Sequence, residues 1–136
     1  KKIGLSFEEG EYDSKKWFVK TAGLENEPEK GKRCEVCFDI RLGETAKKAS
    51  KEKYDLWTTV MSISPHKDVG QINCVANKLA DKYKVKFLEA NWKKNNGFKI
   101  GSQMGKEEGF YRQDYCGCVY SKLAREKIIQ ARKNED

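Results

Sequence analysis

The sequence predicts an α/β protein: an open parallel sheet flanked by helices, with a helical C-terminal part. Three observations carry that expectation. Short runs rich in β-branched and aromatic residues alternate with helical patterns of ten or more residues, as in βαβ units. Each helical pattern repeats its apolar residues at spacings of three and four, which makes one buried face. The intervening segments carry Pro, Gly, Asn and Lys, as surface connections do. A chain of 136 residues suits one domain, expected over residues 1–136.

Leu5-Ser6-Phe7-Glu8-Glu9 alternates apolar and polar residues and is expected to form a half-buried strand. Asp13 or Ser14 can cap a short helix carrying Trp17, Phe18 and Ala22. Gly23 to Lys32, with Pro28, Gly31 and mixed charges, reads as a loop. A longer helix follows from about Cys34 to Lys51, with Phe38, Leu42, Ala46 and Ala49 as its apolar stripe. Asp55 to Val60 has strand composition, and Ser62 to Asp68, with Pro65, is the loop at its end. The next helix covers about Val69 to Tyr83, lined by Ile72, Val75, Ala76, Leu79, Ala80 and Tyr83. Val85 to Ala90 is a third strand, followed by a lysine- and asparagine-rich loop from Asn91 to Lys99. A short helix is expected over Ser102 to Glu108 and a final one over about Val119 to Lys133. An open parallel sheet binds ligands beyond the carboxyl ends of its strands, which points to the loops after Val60 and Ala90.

Composition narrows the function classes. No run of 18 apolar residues exists, and no signal-peptide pattern precedes the first strand-like segment, so a cytoplasmic protein without a membrane span is expected. The net charge of +7 is uneven. Residues 1–68 hold 14 basic and 13 acidic side chains, whereas residues 69–136 hold 14 and 8. That bias favours a polyanionic partner such as RNA or DNA. On the last helix, Lys122, Arg125, Arg132 and Lys133 share an arc opposite Tyr120, Ala124 and Ile128, either a solvated face or a phosphate contact.

The five cysteines concentrate the chemistry. Cys34 and Cys37 are one turn apart at a helix start, where the helix dipole and Arg33 would help each thiol ionise. Such a pair binds zinc or an iron–sulfur cluster, or cycles as a disulfide. Cys116 and Cys118 flank Gly117, which lets the backbone turn so that both sulfurs can face one atom. Two pairs supply four sulfurs, enough for tetrahedral zinc or a cubane cluster. Cys74 lies away from the apolar stripe of its helix and is read as an unpaired thiol without a ligand role. Ahead of the second pair, Phe110, Tyr111 and Tyr115 offer aromatic faces for bases, while Arg112, Gln113 and Asp114 offer polar contacts. His66, the only histidine, sits on a strand-end loop at the expected ligand edge.

Three blocks carry a family resemblance: Gly31 to Leu42 followed by Thr45-Ala46, Ser62-Ile63-Ser64-Pro65-His66-Lys67, and Tyr111 to Ser121. In this order they resemble the epoxyqueuosine reductase QueH family, and Tyr12-Asp13 followed by Trp17 agrees with it. The resemblance implies a Rossmann-like sheet related to the adenine-nucleotide α-hydrolase fold. It implies deoxygenation of epoxyqueuosine to queuosine in the anticodon loop of tRNA, with an electron-donor protein or other reductant. The implied cofactor is a [4Fe-4S] cluster, with room for a second iron ion. Cys34 and Cys37 match cluster-binding positions, and Cys116 and Cys118 match a pair that is either redox-active or further metal ligands. Within this reading Asp114, Tyr115 or His66 supplies the proton, and Tyr111, Arg112 and Gln113 hold the substrate base. The family begins with a strand leading into adjacent cysteines. With a chain that opens on Lys1 and only three strands, an N-terminal βα unit is expected to be missing. Two rivals use the same sulfurs: a zinc-binding RNA module without catalysis, and a thiol–disulfide oxidoreductase built on Cys34 and Cys37.

Overall fold

The computed structural model describes residues 4–11 and 13–134. Tyr12 of the expected strand–helix junction and the opening Lys1-Lys2-Ile3 therefore lie outside the described residues. The elements run α1 (Ser14–Thr21), α2 (Lys32–Lys51), β1 (Leu56–Trp57), a 3₁₀ turn (Met61–Ile63), α3 (Val69–Tyr83), β2 (Lys86–Phe87), α4 (Gly97–Glu107) and α5 (Val119–Lys133).

Asp13 starts α1 because its carboxylate accepts the Lys16 N–H at 2.9 Å, satisfying one of the helix's free donors. Lys16 then ties α1 to α2 through Glu44 at 2.7 Å. At the start of α2, Gly31 offers no side chain, and the Glu27 carboxylate accepts the Lys32 N–H at 2.8 Å in its place. A Cβ on Gly31 would come within 2.5 Å of that carboxylate, so a larger residue there would displace Glu27 from the Lys32 N–H. On α2, Phe38, Leu42, Ala46 and Ala49 are buried as the spacing predicts. They meet Ile72, Ala76 and Leu79 of α3, with Trp57 and Val85 closing the same core. Val75 and Tyr83, also expected on that face, are partly buried against it.

The sheet is smaller than expected. β1 and β2 pair in parallel, Leu56 with Lys86 and Trp57 with Phe87, through the connecting helix α3. This is a parallel βαβ unit, but only two residues of each expected six-residue strand pair. The chain leaves extended geometry at Val60, where the 3₁₀ turn begins; around it Thr58 Oγ1 donates to the Leu88 carbonyl at 2.8 Å and Ser62 Oγ to the Ala90 carbonyl at 2.7 Å. Side chains thus continue the strand-to-strand connection where the backbone ladder stops. The segment Leu5 to Glu9 is not a strand: it has no regular structure, Phe7 is 89% exposed, and Glu8 pairs with Lys48. Alternation alone misled here, because no neighbouring strand among the described residues receives its apolar face.

The helix predicted over Ser102 to Glu108 begins earlier, at Gly97, and takes the end of the expected Asn91–Lys99 loop with it. Ala22 lies just past the end of α1 as its C-cap rather than within it. Helices α3 and α5 have the predicted limits. Neither α4 nor α5 buries a residue fully, so the core is the α2–α3 packing and the short sheet beneath it. No helix among the described residues is long and apolar enough to cross a membrane.

This packing predicts a sharp contrast in stability. Leu42→Ala should lower the unfolding free energy by about 2–5 kcal/mol, because Leu42 is 2% exposed and central to the core. Leu123→Ala on α5, 48% exposed, should cost less than about 1 kcal/mol. Urea unfolding midpoints of both variants test this; a reversed ranking would refute the assignment of the core.

Candidate active site

The first turns of α2 and α3 lie side by side. Gln71 on α3 donates to the Lys30 carbonyl at 3.0 Å and to Glu35 Oε1 at 3.3 Å, while Asp68 caps α3 by accepting the Gln71 N–H at 2.7 Å. A narrow cleft opens at this junction. It is lined by Cys34 of α2, by His66, Lys67, Asp68 and Gln71, and by Cys116 from the distant Cys-Gly-Cys segment. The fold thus brings one sulfur from each predicted pair together with the only histidine.

Each sulfur has a specific donor. The Lys30 backbone N–H donates to Cys34 Sγ at 3.3 Å, and the Lys67 ammonium donates to Cys116 Sγ at 3.1 Å. Lys67 is itself fixed, since its carbonyl accepts from Lys93 Nζ at 2.8 Å. Gly117 turns the backbone between the cysteines at φ +88°, a conformation that favours glycine. Cys118 does different work: its sulfur caps α5 by accepting the Ser121 N–H at 3.4 Å. All five cysteines are free thiols, and Cys74 is exposed, apart from the core stripe as expected.

The Cys34 thiol does not ionise as readily as its position suggests. Burial pushes its pKa above the ordinary thiol value. The Lys30 N–H pulls the other way, Cys116 adds to the rise, Arg33 opposes it, and Cys37 adds again. Desolvation is the largest effect, so the help expected from Arg33 and the helix start is outweighed in the metal-free chain.

The polar residues ahead of Cys116 take other positions. Tyr111 is 83% exposed, and Arg112 and Gln113 are exposed too; none lines this cleft or the wider one beside it. Gln113 donates across the turn to the Tyr115 carbonyl at 2.8 Å. Asp114 accepts from Arg125 Nε at 2.8 Å and so helps hold α5, while Tyr115 is half-buried. On the basic arc of α5, Lys122 faces Glu126 at 3.9 Å, so two of the four cations already have acidic partners.

Sequence reasoning missed Lys67, Asp68 and Gln71. The available signal was their place on the strand-end loop and first helical turn beside His66. It also missed a wider neighbouring cleft of about 390 Å³, lined by Lys30, Glu35, Asp68, Gly70, Gln71, Cys74, Val75 and Lys78. The two clefts share Lys30, Asp68 and Gln71. For a thiophilic metal or iron–sulfur cluster, the donor set is right in kind: Cys34 and Cys37 stand one turn apart with Cys116 near Cys34. It is short in number, because among the described residues no three His, Cys, Asp or Glu side chains converge on a point that could hold a metal ion.

The raised pKa gives a test with a defined sign. The unfolded chain releases the Cys34 proton first, so the stabilisation from keeping it a thiol is complete below the ordinary thiol pKa. It is lost as pH rises through that value and the folded one. Near pH 8, iodoacetamide should therefore modify Cys34 more slowly in the folded metal-free protein than in urea, as followed by peptide mass spectrometry. A faster folded-state reaction would show that the cations prevail.

The family model described as epoxyqueuosine reductase QueH matches residues 1–124. A Haemophilus influenzae protein named epoxyqueuosine reductase QueH is 42% identical over 122 residues, covering 89% of this chain and 50% of that protein. A Streptococcus pyogenes protein of the same name is 40% identical over 131 residues, covering 96% and 51%. One from Thermotoga maritima is 35% identical over 126 residues, covering 90% and 66%. The chain spans about half the length of most of the curated relatives it matches.

Proposed function

The chain belongs to the epoxyqueuosine reductase QueH family, and on that premise we propose that the protein deoxygenates epoxyqueuosine in tRNA to queuosine. Loss of the epoxide oxygen as water takes two electrons and two protons, the electrons coming from a donor protein or small reductant. The observation that carries the reading is the meeting of Cys34, Cys116, His66 and Lys67 in one cleft at the paired helix starts. Cys34 and Cys37 would hold part of the ligand shell of an iron–sulfur cluster, which when bound supplies single-electron transfer.

The chain's own side chains then have separate tasks. Lys67 fixes the direction of the Cys116 sulfur. His66 lines the thiol cleft and is the proton donor that the geometry favours. Asp114 is paired with Arg125 and does not line either cleft, so His66 is the better-supported donor of the two. The thiol cleft itself is about 10 Å³, room for a single water at most. The nucleoside therefore approaches through the wider adjoining cleft, which is large enough for a base. The excess of positive charge after residue 68 suits the tRNA backbone, and tRNA places the reaction in the cytoplasm. In this reading β1, α3 and β2 are one unit of a Rossmann-like sheet.

Deleting the gene in a bacterium with no other epoxyqueuosine-reducing enzyme should leave epoxyqueuosine in bulk tRNA, measured by nucleoside mass spectrometry. Unchanged queuosine would refute the function. His66→Gln in the full-length protein should lower kcat by about 10²–10⁴-fold with little change in KM; a variant of wild-type kcat removes His66 from the mechanism. The zinc-binding RNA module is not favoured by the family, and anaerobic purification tests it directly. Stoichiometric zinc without iron or sulfide would restore that rival.

A further inference from the structure

The reaction needs the Cys-Gly-Cys segment beside α2, yet α5, which continues from it, buries no residue fully. Something other than a shared apolar core must hold it there. Besides the Lys67–Cys116 contact, the structure offers a cluster on residues flanking both cysteine pairs. Arg33, immediately before Cys34, is 6% exposed. Its Nη1 donates to the Leu24 and Glu25 carbonyls, each at 2.9 Å, which fixes the guanidinium plane. That guanidinium lies over the ring of Tyr120, 4.8 Å from its centroid. Tyr120, two residues beyond Cys118, also contacts Trp17 of α1, with ring centroids 5.8 Å apart and planes 33° from parallel. Trp17 in turn meets Phe18 edge-on at 5.2 Å. Arg33 Nε is buried with no hydrogen-bond partner, so contact with the Tyr120 face is a main compensation for taking this cation out of water.

We propose that Arg33, Tyr120 and Trp17 form a joint that positions the Cys116-Gly117-Cys118 turn, so that Cys116 faces Cys34. The joint spans α1, the start of α2 and the start of α5, and two of its members, Arg33 and Tyr120, sit one residue from Cys34 and two from Cys118. The Lys67–Cys116 contact then sets the sulfur direction within a turn that the joint has already placed. These are positioning residues: they act through the cysteines and do not touch a reacting group. Their relevance to catalysis rests on the proposed role of Cys116, whereas the joint itself does not.

The test uses the full-length, metal-free protein and dibromobimane, which bridges two thiols close in space. Peptide mass spectrometry quantifies the Cys34–Cys116 bridge. Tyr120→Ala should lower its yield by about fivefold relative to wild type, and Tyr120→Phe, which keeps the aromatic face, should restore it. Arg33→Lys keeps the charge but loses the flat guanidinium and should also lower the yield. Should Tyr120→Ala fail to fold by circular dichroism, Tyr120→Leu keeps apolar bulk without the ring and is expected to give the same loss. A wild-type yield in a variant lacking the ring, or a Phe variant as poor as the Ala variant, would overturn the joint. Epoxyqueuosine turnover of the same variants separates the two ideas. A lost bridge with full turnover refutes the role of Cys116 and leaves the joint standing.

Discussion

The packing of α2 against α3 is the constraint on which the rest depends. Ala46 and Ala76 are both fully buried, and the Leu79 methyl lies 3.7 Å from where a Cβ on Gly43 would stand. Small residues at the contact let the two helices approach closely, which large side chains would prevent. Their amino ends consequently meet, as the bonds from Gln71 to Lys30 and Glu35 show. Two helix starts in one place concentrate partial positive charge and free backbone donors at the cleft. The sheet contributes less area, and its part is to bring the loop of residues 62–68 to that same edge.

Burial and charge oppose one another at Cys34, and the balance is informative. A helix start, Arg33 and the Lys30 N–H all favour the thiolate, yet desolvation prevails. The same features would act differently on an anion whose charge is spread over several atoms, because desolvation weighs less on diffuse charge.

How far the sequence could be read depended on how local the cause was. The apolar spacing of α2 and α3 is local, and both helices carry the expected buried faces. The strand at Leu5 to Glu9 required a neighbour that alternation cannot reveal, and no strand forms there. The early start of α4 at Gly97 follows an unusual left-handed Asn96 that composition did not signal. At the site, Cys34 and Cys116 line one cleft, and the spacing of Cys116 and Cys118 does not say which of the two reaches it. The two sulfurs differ because one faces the cleft and the other caps a helix, a distinction made by the turn at Gly117. Lys67 lay within a recognised block yet had no individual signal, since a loop lysine is ordinarily a solvated charge.

Arg33 connects these levels. Among the described residues no carboxylate lies within ion-pair distance of it, although it is almost fully buried. Burying a cation costs several kcal/mol. Two hydrogen bonds from the charged group return about 1.5–3 kcal/mol each, and a desolvated aromatic face about 2 more, which is the same order. Tyr120 supplies part of that compensation, so the charge and the position of the Cys-Gly-Cys turn are coupled. The desolvated guanidinium also already acts on Cys34 against the effect of burial. One side chain thus helps place the second cysteine pair and contributes to the field at Cys34.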